Sequence, residues 1–405
     1  MSKAPVRVVV TGGAGQIAYS LLPTLAGGSV FGADQPVVLV LLDIAPALEF
    51  MKGIMMELED LACPLLAGIV GTADADEAFT DADYAIFLGA FPRKEGMERK
   101  DVMSKNVGIF NAQGSALAKA KSTVRAVVVG NPANTNAAIL AKAAGIAPTQ
   151  ISALTRLDHN RATYMVAAKC GASCGDVEGV YIWGNHSSTQ YPDVSHCKVK
   201  GAAPALDAEW KSATFEPTVQ KRGAAVIAAR KASSAASAAK AVCDHMRDWA
   251  LGAPKPVSMG VWSDGNPYGV PEGLYYSFPV KLTGGGSYEI VGGRARGRAR
   301  PRKLAPQMTA GQAVGGAAMA ACAKASQCVL SLPFKHYHGG TRVSTCACDL
   351  PASTQPGVSP EEPGRPSSRS PSATARATSS PWRGPWARRA ASPCRASPPW
   401  RARRT

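Results

Sequence analysis

The chain has 405 residues, of which 46% are hydrophobic, and this suits a globular protein with two domains. Its formal net charge of +16 would by itself favour nucleic acid or an acidic membrane as a partner. However, residues 1–293 hold 26 Lys and Arg against 26 Asp and Glu, whereas residues 294–405 hold 19 against 3. The whole excess lies in the last quarter, so the charge predicts no such partner for the first 293 residues.

Cysteine usage and hydropathy argue against a zinc site, secretion and a membrane span. The ten cysteines lack the paired CxxC spacing of a zinc centre, and the five before residue 293 are expected to be reduced thiols that fill the core. The N-terminus enters a strand at once instead of a signal or transit segment. No apolar run reaches the length of a membrane span. We expect a cytosolic protein without a metal.

The first half of the chain alternates strand-like and helix-like segments. Residues 6–10 are a β-branched run, followed by a glycine turn at 11–18 and an apolar periodic segment that ends near Ala26. Val37–Leu42 is a continuous apolar run that ends at Asp43, which is typical of a parallel strand buried on both faces. The alternation continues with a helix at about 46–62, strands at about 68–72 and 84–88, a helix at about 101–120 and a strand at 124–129. This predicts a doubly wound parallel sheet with its functional residues at the carboxyl ends of the strands.

From about residue 150 the pattern becomes mixed. A helix carries TRLDHNRA (155–162), a strand pair surrounds 179–183 and 197–200, and a long helical segment runs over 220–248. Two further strand candidates are 257–262 and 275–280. These segments predict a second, α+β domain over 151–291, whose inner face closes over a first domain at 1–150.

After about Val291 the periodicity ends. Residues 292–405 contain GGRARGRARPRK, an Ala-rich stretch and a Pro/Ser/Arg/Trp-rich end, and this composition cannot bury a core. We expect a disordered basic tail. The abrupt change is typical of a shifted reading frame or a retained intron, and the alternative is a genuine basic extension.

The glycine turn is a variant of the dinucleotide fingerprint, Gly12-x-x-Gly15-x-x-Ala18. Gly12 allows the tight turn, Gly15 allows a pyrophosphate to approach the backbone, and Ala18 permits close packing of helix on strand. Asp43 is placed to accept hydrogen bonds from an adenosine ribose and would repel a 2′-phosphate, which favours NAD over NADP. A glycine turn without a ligand is the competing interpretation. On this Rossmann-type sheet, the fingerprint therefore predicts Gly12, Gly15, Ala18 and Asp43 as cofactor-binding residues.

Two further loops follow strand ends. The loop at 89–101 carries Arg93 and Arg99 between glycines and suits a lid that closes on an anionic substrate, although a solvated charged loop has the same composition. The next strand ends in VGNPANTN (129–136), where Asn131 precedes a proline and can direct its amide into the cleft. A simple turn is the alternative there.

TRLDHNRA places Asp158 and Arg161 on one helix face, with His159 rotated about 100° away from Asp158. The carboxylate therefore needs another partner. His186 leaves a strand into a loop of glycine and hydroxyl residues, and a buried carboxylate on one of its nitrogens would raise its pKa and leave the other nitrogen free for proton transfer. We pair Asp158 with His186 and expect Arg161 to bind substrate. A purely structural histidine is the alternative.

These segments together resemble the malate dehydrogenases, specifically the cytosolic-type branch of the lactate/malate dehydrogenase family. The similarity covers about residues 4–280 and includes VTGGAGQIAYSLL, VLLDI, FPRKEGMERKD, VVGNPANTN, LTRLDHNRA, IWGNHSSTQYPDV, RGAAVIAARKASSAASAAKA and SDGNPYGVPEGLYYSFPV. The resemblance implies an NAD-dependent enzyme of malate metabolism, including the tricarboxylic acid cycle, that oxidises malate to oxaloacetate. It also implies a homodimer formed through helices of the first domain.

The resemblance implies a role for each matching residue. His186 would exchange the proton with Asp158 as its partner, and Arg161 would hold the substrate's C1 carboxylate. The other implied substrate contacts are Arg93 to the distal carboxylate, Arg99 to the reacting carbonyl and Asn131 to substrate and nicotinamide. The resemblance implies that the whole turn from Gly12 to Ala18 holds the cofactor together with Asp43. The contacts that it adds are Gly13, Ala14, Gln16, Ile17, Asn106, Gln113, Val129 and Gly130. Two carboxylate-binding arginines favour a dicarboxylate over lactate.

The C-terminus departs from the family, which continues past a strand such as 288–291 into a charged amphipathic helix. Here GGRARGRARPRK follows instead. The alternative hypothesis is a protein that keeps the fold but binds RNA or an acidic partner through its basic tail. Its few aromatic residues form no recognisable stacking platform.

Overall fold

A computed structural model describes residues 3–91 and 99–293, with only the backbone described for 99–103. The chain divides into two compact units, Met1–Phe334 and Lys335–Thr405, and every described residue lies in the first. The predicted disordered tail lies outside the described residues from 294 onwards. No helix in the described part of the chain is long and apolar enough to cross a membrane.

The described strands number thirteen and the described α-helices eight. The strands are β1 (Val6–Thr11), β2 (Val37–Leu42), β3 (Leu66–Thr72), β4 (Tyr84–Phe87), β5 (Arg125–Val128), β6 (Ile151–Ala153), β7 (Val177–Glu178), β8 (Tyr181–Trp183), β9 (Tyr191–Asp193), β10 (Lys198–Val199), β11 (Val257–Trp262), β12 (Tyr275–Gly284) and β13 (Ser287–Ile290). The helices are α1 (Gln16–Ala26), α2 (Leu48–Asp60), α3 (Ala75–Phe79), α4 (Arg99–Leu117), α5 (Ala133–Ala144), α6 (Arg156–Cys170), α7 (Glu216–Arg230) and α8 (Ala236–Leu251).

Nine strands form one sheet in the order β13-β12-β11-β6-β5-β4-β1-β2-β3. Strands β1 to β6 are parallel, which confirms the predicted doubly wound sheet, and β11 to β13 extend it with antiparallel pairs. The junction is the pairing of Gly260 in β11 with Ala153 in β6. A Cβ on Gly260 would lie 2.7 Å from the Ala153 carbonyl oxygen, so the close approach needs glycine there. The predicted domain boundary near residue 150 stays a prediction. Strand β6, which begins at Ile151, continues the sheet of the first domain across that position.

Helices cover both faces of this sheet. One face packs against α1, α2 and α8, and the other against α3, α4 and α5. A third apolar cluster joins α6 and α7 to the short strands β7, β8 and β10. Apolar side chains of the central strands are fully buried, as the continuous β-branched runs predict. Because β1, β2, β4 and β5 are parallel, the loops that follow them all lie at the carboxyl end of the sheet.

Two expectations about the secondary structure are wrong, and one helix was not predicted. The segment 220–248 is not one helix, because Lys231 takes a left-handed conformation (φ 57°) and α8 begins only at Ala236. Residues 179–183 and 197–200 do not pair with each other, because β8 pairs with β9 and β10 pairs with β7. Helix α5 begins directly after Pro132 and was not predicted from the sequence, which left a simple turn open as the alternative there.

Candidate active site

The turn after β1 is built on glycines that have separate reasons for lacking a side chain. Gly12 has φ 68°, and a Cβ there would lie 3.0 Å from the backbone nitrogen of Gly89 in the loop after β4. Gly15 is the N-cap of α1, and its N–H donates to the Gly12 carbonyl at 2.9 Å. Ala18 is fully buried in the first turn of α1. The turn thus presents backbone N–H groups at a helix N-terminus, as an anion site requires.

Asp43 closes the side of this turn. Its Oδ2 accepts from the N–H of Ala14 at 3.0 Å and its Oδ1 from the N–H of Ile44 at 2.8 Å. Gly13 lies against β2, where a Cβ would come within 2.8 Å of the Leu41 Cβ. Asp43 therefore stabilises the glycine turn through its hydrogen bond with Ala14 and also faces the cavity over that turn.

A cavity of about 230 Å³ lies over the turn. Its lining comprises Gly12, Gly15, Gln16, Ile17, Ala18, Asp43, Leu88, Gly89, Ala90, Ser233, Ser234 and Ala235. These residues fit a dinucleotide. Gly15 leaves the glycine turn open to a phosphate, and a Cβ at this position would lie 3.1 Å from the carbonyl oxygen of Gly12. The sequence did not indicate residues 233–235 as part of this wall.

The other residues expected at the cofactor lie on α4 and directly after β5. Asn106 of α4 is buried, and its Oδ1 accepts from the N–H of Phe91 at 2.9 Å. The Oε1 of Gln113 is buried without a hydrogen-bond partner among the described residues. The N–H groups of Val129 and Gly130 both donate to the Phe87 carbonyl, at 2.9 and 3.1 Å. Binding of a cofactor by these four residues stays a prediction.

A carboxylate and an imidazole meet between α6 and the loop after β8. Asp158 Oδ2 and His186 Nδ1 are hydrogen-bonded, and the Asp158 side chain is fully buried. Asp158 Oδ1 accepts from Nη1 of Arg161 at 3.1 Å, and the side chain of Gln190 also lowers the pKa of this carboxylate. The structure thus brings together the three residues that the sequence grouped and adds Gln190.

The electrostatics of the pair favour its charged form. Burial opposes ionisation of Asp158, but attraction to His186, their hydrogen bond and Arg161 outweigh it and lower the pKa of Asp158. Burial also opposes protonation of His186, yet the Asp158 charge and hydrogen bond raise the pKa of His186 against the repulsion of Arg161. Because Nδ1 is engaged by Asp158, Nε2 is the nitrogen available for proton transfer.

Arg161 joins this pair to the cavity. Its side chain is partly buried, which lowers its pKa against the opposing attraction of Asp158. Its Nη2 donates to Ser234 Oγ at 3.4 Å, and Ser234 lines the cavity over the glycine turn. Ser234 lies in the break between α7 and α8, so this break brings a cavity-lining residue into contact with Arg161, which we expect to bind substrate.

The remaining predicted residues are placed as follows. Asn131 is exposed, and its peptide bond to Pro132 is cis. Arg93 lies outside the described residues, and only the backbone of Arg99, at the start of α4, is described. His159 points away from the pair, as expected, since its Nδ1 bonds Ser258 Oγ at 3.0 Å and burial lowers its pKa to about 3.

Comparison with known proteins decides which family has this arrangement. A family model for the lactate/malate dehydrogenase NAD binding domain matches residues 6–153, and one for the alpha/beta C-terminal domain of the same family matches residues 155–295. The chain belongs to the lactate/malate dehydrogenase family. The resemblance inferred from the motifs is confirmed.

Individual members of the family are similar over most of their length. The cytoplasmic malate dehydrogenase of Homo sapiens is 58% identical over 289 residues, which are 69% of this chain and 86% of that protein. The corresponding protein of Zea mays is 55% identical over 304 residues, or 72% of this chain and 91% of that one.

Two solved structures of the family share the fold. Malate dehydrogenase from Naegleria fowleri is 45% identical with a TM-score of 0.73 and covers 78% of this chain and 100% of its own. A Trichomonas vaginalis lactate dehydrogenase in complex with NADH and oxamate is 36% identical with a TM-score of 0.74 and covers 79% and 99%.

Proposed function

We propose that the protein is an NAD-dependent malate dehydrogenase that interconverts malate and oxaloacetate. The observation that carries this is the His186–Asp158 pair beside Arg161, next to the cavity over the glycine turn. The cytoplasmic malate dehydrogenases of Homo sapiens and Zea mays are 58% and 55% identical to the chain and the malate dehydrogenase of Naegleria fowleri is 45% identical, whereas the Trichomonas vaginalis lactate dehydrogenase is 36% identical. These identities favour malate over lactate, a choice that the shared family alone leaves open.

In the oxidation of malate, His186 Nε2 removes the proton of the C2 hydroxyl group. The C2 hydrogen leaves as hydride, the C2–O bond becomes a carbonyl, and NAD when bound supplies the hydride acceptor. The Asp158 carboxylate holds His186 Nδ1 and stabilises the imidazolium that forms. In the reverse reaction, protonated His186 returns the proton to the carbonyl oxygen.

Substrate binding is assigned to the arginines and Asn131. Arg161 pairs with the C1 carboxylate, because a guanidinium can bind a carboxylate through two parallel hydrogen bonds. Arg93 is assigned to the distal carboxylate and Arg99 to the reacting carbonyl, and Asn131 contacts substrate and nicotinamide. The nicotinamide cofactor is assigned to residues 12–18 and Asp43, with Asn106, Gln113, Val129 and Gly130.

The proposal extends to assembly and location. Large apolar side chains stand exposed along α1 and α2, among them Tyr19 (51% exposed), Phe50 (68%) and Met56 (61%). The Tyr19 hydroxyl bonds Glu57, so the two helices form one continuous surface. This surface suits a homodimer contact.

Because the human and maize relatives are named cytoplasmic, we assign the protein to the cytoplasm. The alternative nucleic-acid role has no support from these relatives, and its tail lies outside the described residues.

The test is oxidation of NADH by the purified protein with oxaloacetate and, separately, with pyruvate. We expect kcat/KM to favour oxaloacetate. In Arg93→Gln the preference should shift toward pyruvate by about 10²-fold, because the distal carboxylate loses its charge partner. Lys94→Gln serves as the control for loss of a neighbouring charge. A protein that prefers pyruvate, or an unaltered ratio in the Arg93 variant, would contradict the substrate assignment.

A further inference from the structure

A buried asparagine connects α5 to the backbone of His186. Asn134 is the second residue of α5, and its side chain is buried. Its Nδ2 donates to the carbonyl of Tyr275 in β12 at 2.9 Å, and its Oδ1 accepts from the backbone N–H of His186 at 2.9 Å. A single amide therefore joins three parts of the fold: a helix of the first half, a strand of the second half and the loop that carries His186.

The His186 loop comprises residues 184–190, between β8 and β9, and main-chain contacts at Gly184 and His186 join it to the rest of the fold. Strand β8 ends at Trp183, and Gly184 then pairs with Ser277 of β12, with the Ser277 N–H donating to the Gly184 carbonyl at 2.8 Å. Two residues further on, the N–H of His186 reaches Asn134. The main chain of His186 is thus fixed by Asn134, and its imidazole is fixed by Asp158. Together these contacts determine where Nε2 points.

We propose that Asn134 is a positioning residue for proton transfer by His186. This inference rests on the proposed dehydrogenase function. An amide can accept from an N–H and donate to a carbonyl with one short side chain, whereas a carboxylate keeps only the acceptor and alanine keeps neither. Losing either partner in a buried site leaves a polar group unsatisfied. A displaced imidazole slows the proton transfer step, so the effect falls on kcat and not on the binding of the cofactor.

The experiment compares Asn134→Ala, Asn134→Asp and Asn266→Ala with the wild-type chain. Asn266 is the matched control, because its Nδ2 also donates to backbone carbonyls, but to those of Ser263 and Val270 and not to a residue next to His186. Steady-state reduction of oxaloacetate by NADH is measured for each variant together with its melting temperature. Asn134→Ala should lower kcat by about 10²-fold while the KM for NADH stays within about twofold.

The aspartate variant separates positioning from stability. It keeps the acceptor for the His186 N–H and has the same shape, so we expect a kcat closer to wild type than that of the alanine variant. It also decides the question if the alanine variant is too unstable to assay. The control should lose thermal stability and retain kcat. A wild-type kcat in Asn134→Ala, or an equal loss of kcat in both Asn134 variants, would overturn the proposal. An inactive wild-type protein would instead contradict the proposed function.

Discussion

At the scale of single residues, we expect the Asp158–His186 pair to govern the pH dependence of activity. In the proposed mechanism, reduction of oxaloacetate needs protonated His186. Because Asp158 raises the pKa of His186, activity should persist to higher pH than an isolated imidazole would allow. Asp158→Asn should lower kcat by about 10²- to 10⁴-fold and move the alkaline decline of kcat/KM to lower pH. The measurement is a pH profile of NADH oxidation.

The control for this variant is Asp193→Asn. Asp193 is also a buried carboxylate, but it accepts from Trp183 Nε1 and from the Ser195 N–H and does not contact His186. Its profile should keep the wild-type position. An Asp158→Asn profile that coincides with it would mean that Asp158 does not tune the histidine.

Asp43 is expected to set the choice of dinucleotide. Its carboxylate lines the cavity over the glycine turn and would repel a 2′-phosphate. Asp43→Ser should raise kcat/KM for NADP relative to NAD by about 10-fold, measured with malate as substrate. Asp34→Ser, which removes an exposed carboxylate paired with Lys3, should leave the ratio unchanged. An equal ratio in the two variants would remove Asp43 as the ribose contact.

At the scale of elements, α8 is joined to β6 by a buried histidine. His245 Nε2 lies 2.9 Å from Ser152 Oγ, and burial, assisted by Arg156, lowers the pKa of His245 to about 3. In the unfolded chain the group titrates near pH 6.5, so between pH 6.5 and about 3 the unfolded state binds a proton that the folded state does not. The free energy of unfolding should therefore fall as pH falls through this window, by up to about 1.4 kcal/mol per pH unit for this group.

His245→Gln should flatten that slope in urea unfolding measured from pH 7 to pH 4. Ser152→Ala is the matched control, because it removes the hydrogen bond but keeps the titrating group, and it should lower stability while retaining the slope. His159 is buried with the same pKa and adds a second contribution of the same sign. The part of the slope that comes from His159 should therefore remain in His245→Gln, and a slope equal to that of the wild-type chain would show that His245 does not contribute to the acid sensitivity.

The elements also divide into those that the sequence predicts and those that it does not. The glycine turn and β1, β2 and β5 follow from local runs of residues, and the parallel sheet follows from their order. Helix α5 was missed because NPANTN has the composition of a turn, and the break at Lys231 was missed because an Ala-rich segment has helical propensity on both sides. The contact of Asn134 with His186 spans 52 positions and depends on the folded loop, so no local pattern indicates it.

At the scale of the whole molecule, the exposed apolar surface of α1 and α2 allows the proposed homodimer to be tested. Phe50→Glu places a charge on that surface and should reduce the mass in sedimentation equilibrium from two chains to one, because a desolvated charge disfavours association. Ile227→Glu is the control, since Ile227 is 50% exposed on α7. Both variants forming the same oligomer would place the contact elsewhere.

The pairing of Gly260 with Ala153 has a consequence for cooperativity. Strand β6 bonds β5 on one side and β11 on the other, so backbone hydrogen bonds run without a gap from the nucleotide-binding strands to the β11–β13 meander. The two family regions meet inside a sheet and not at a flexible linker. Neither half can melt without exposing an unpaired strand edge of the other, and we therefore expect the described part of the chain to unfold as a single unit.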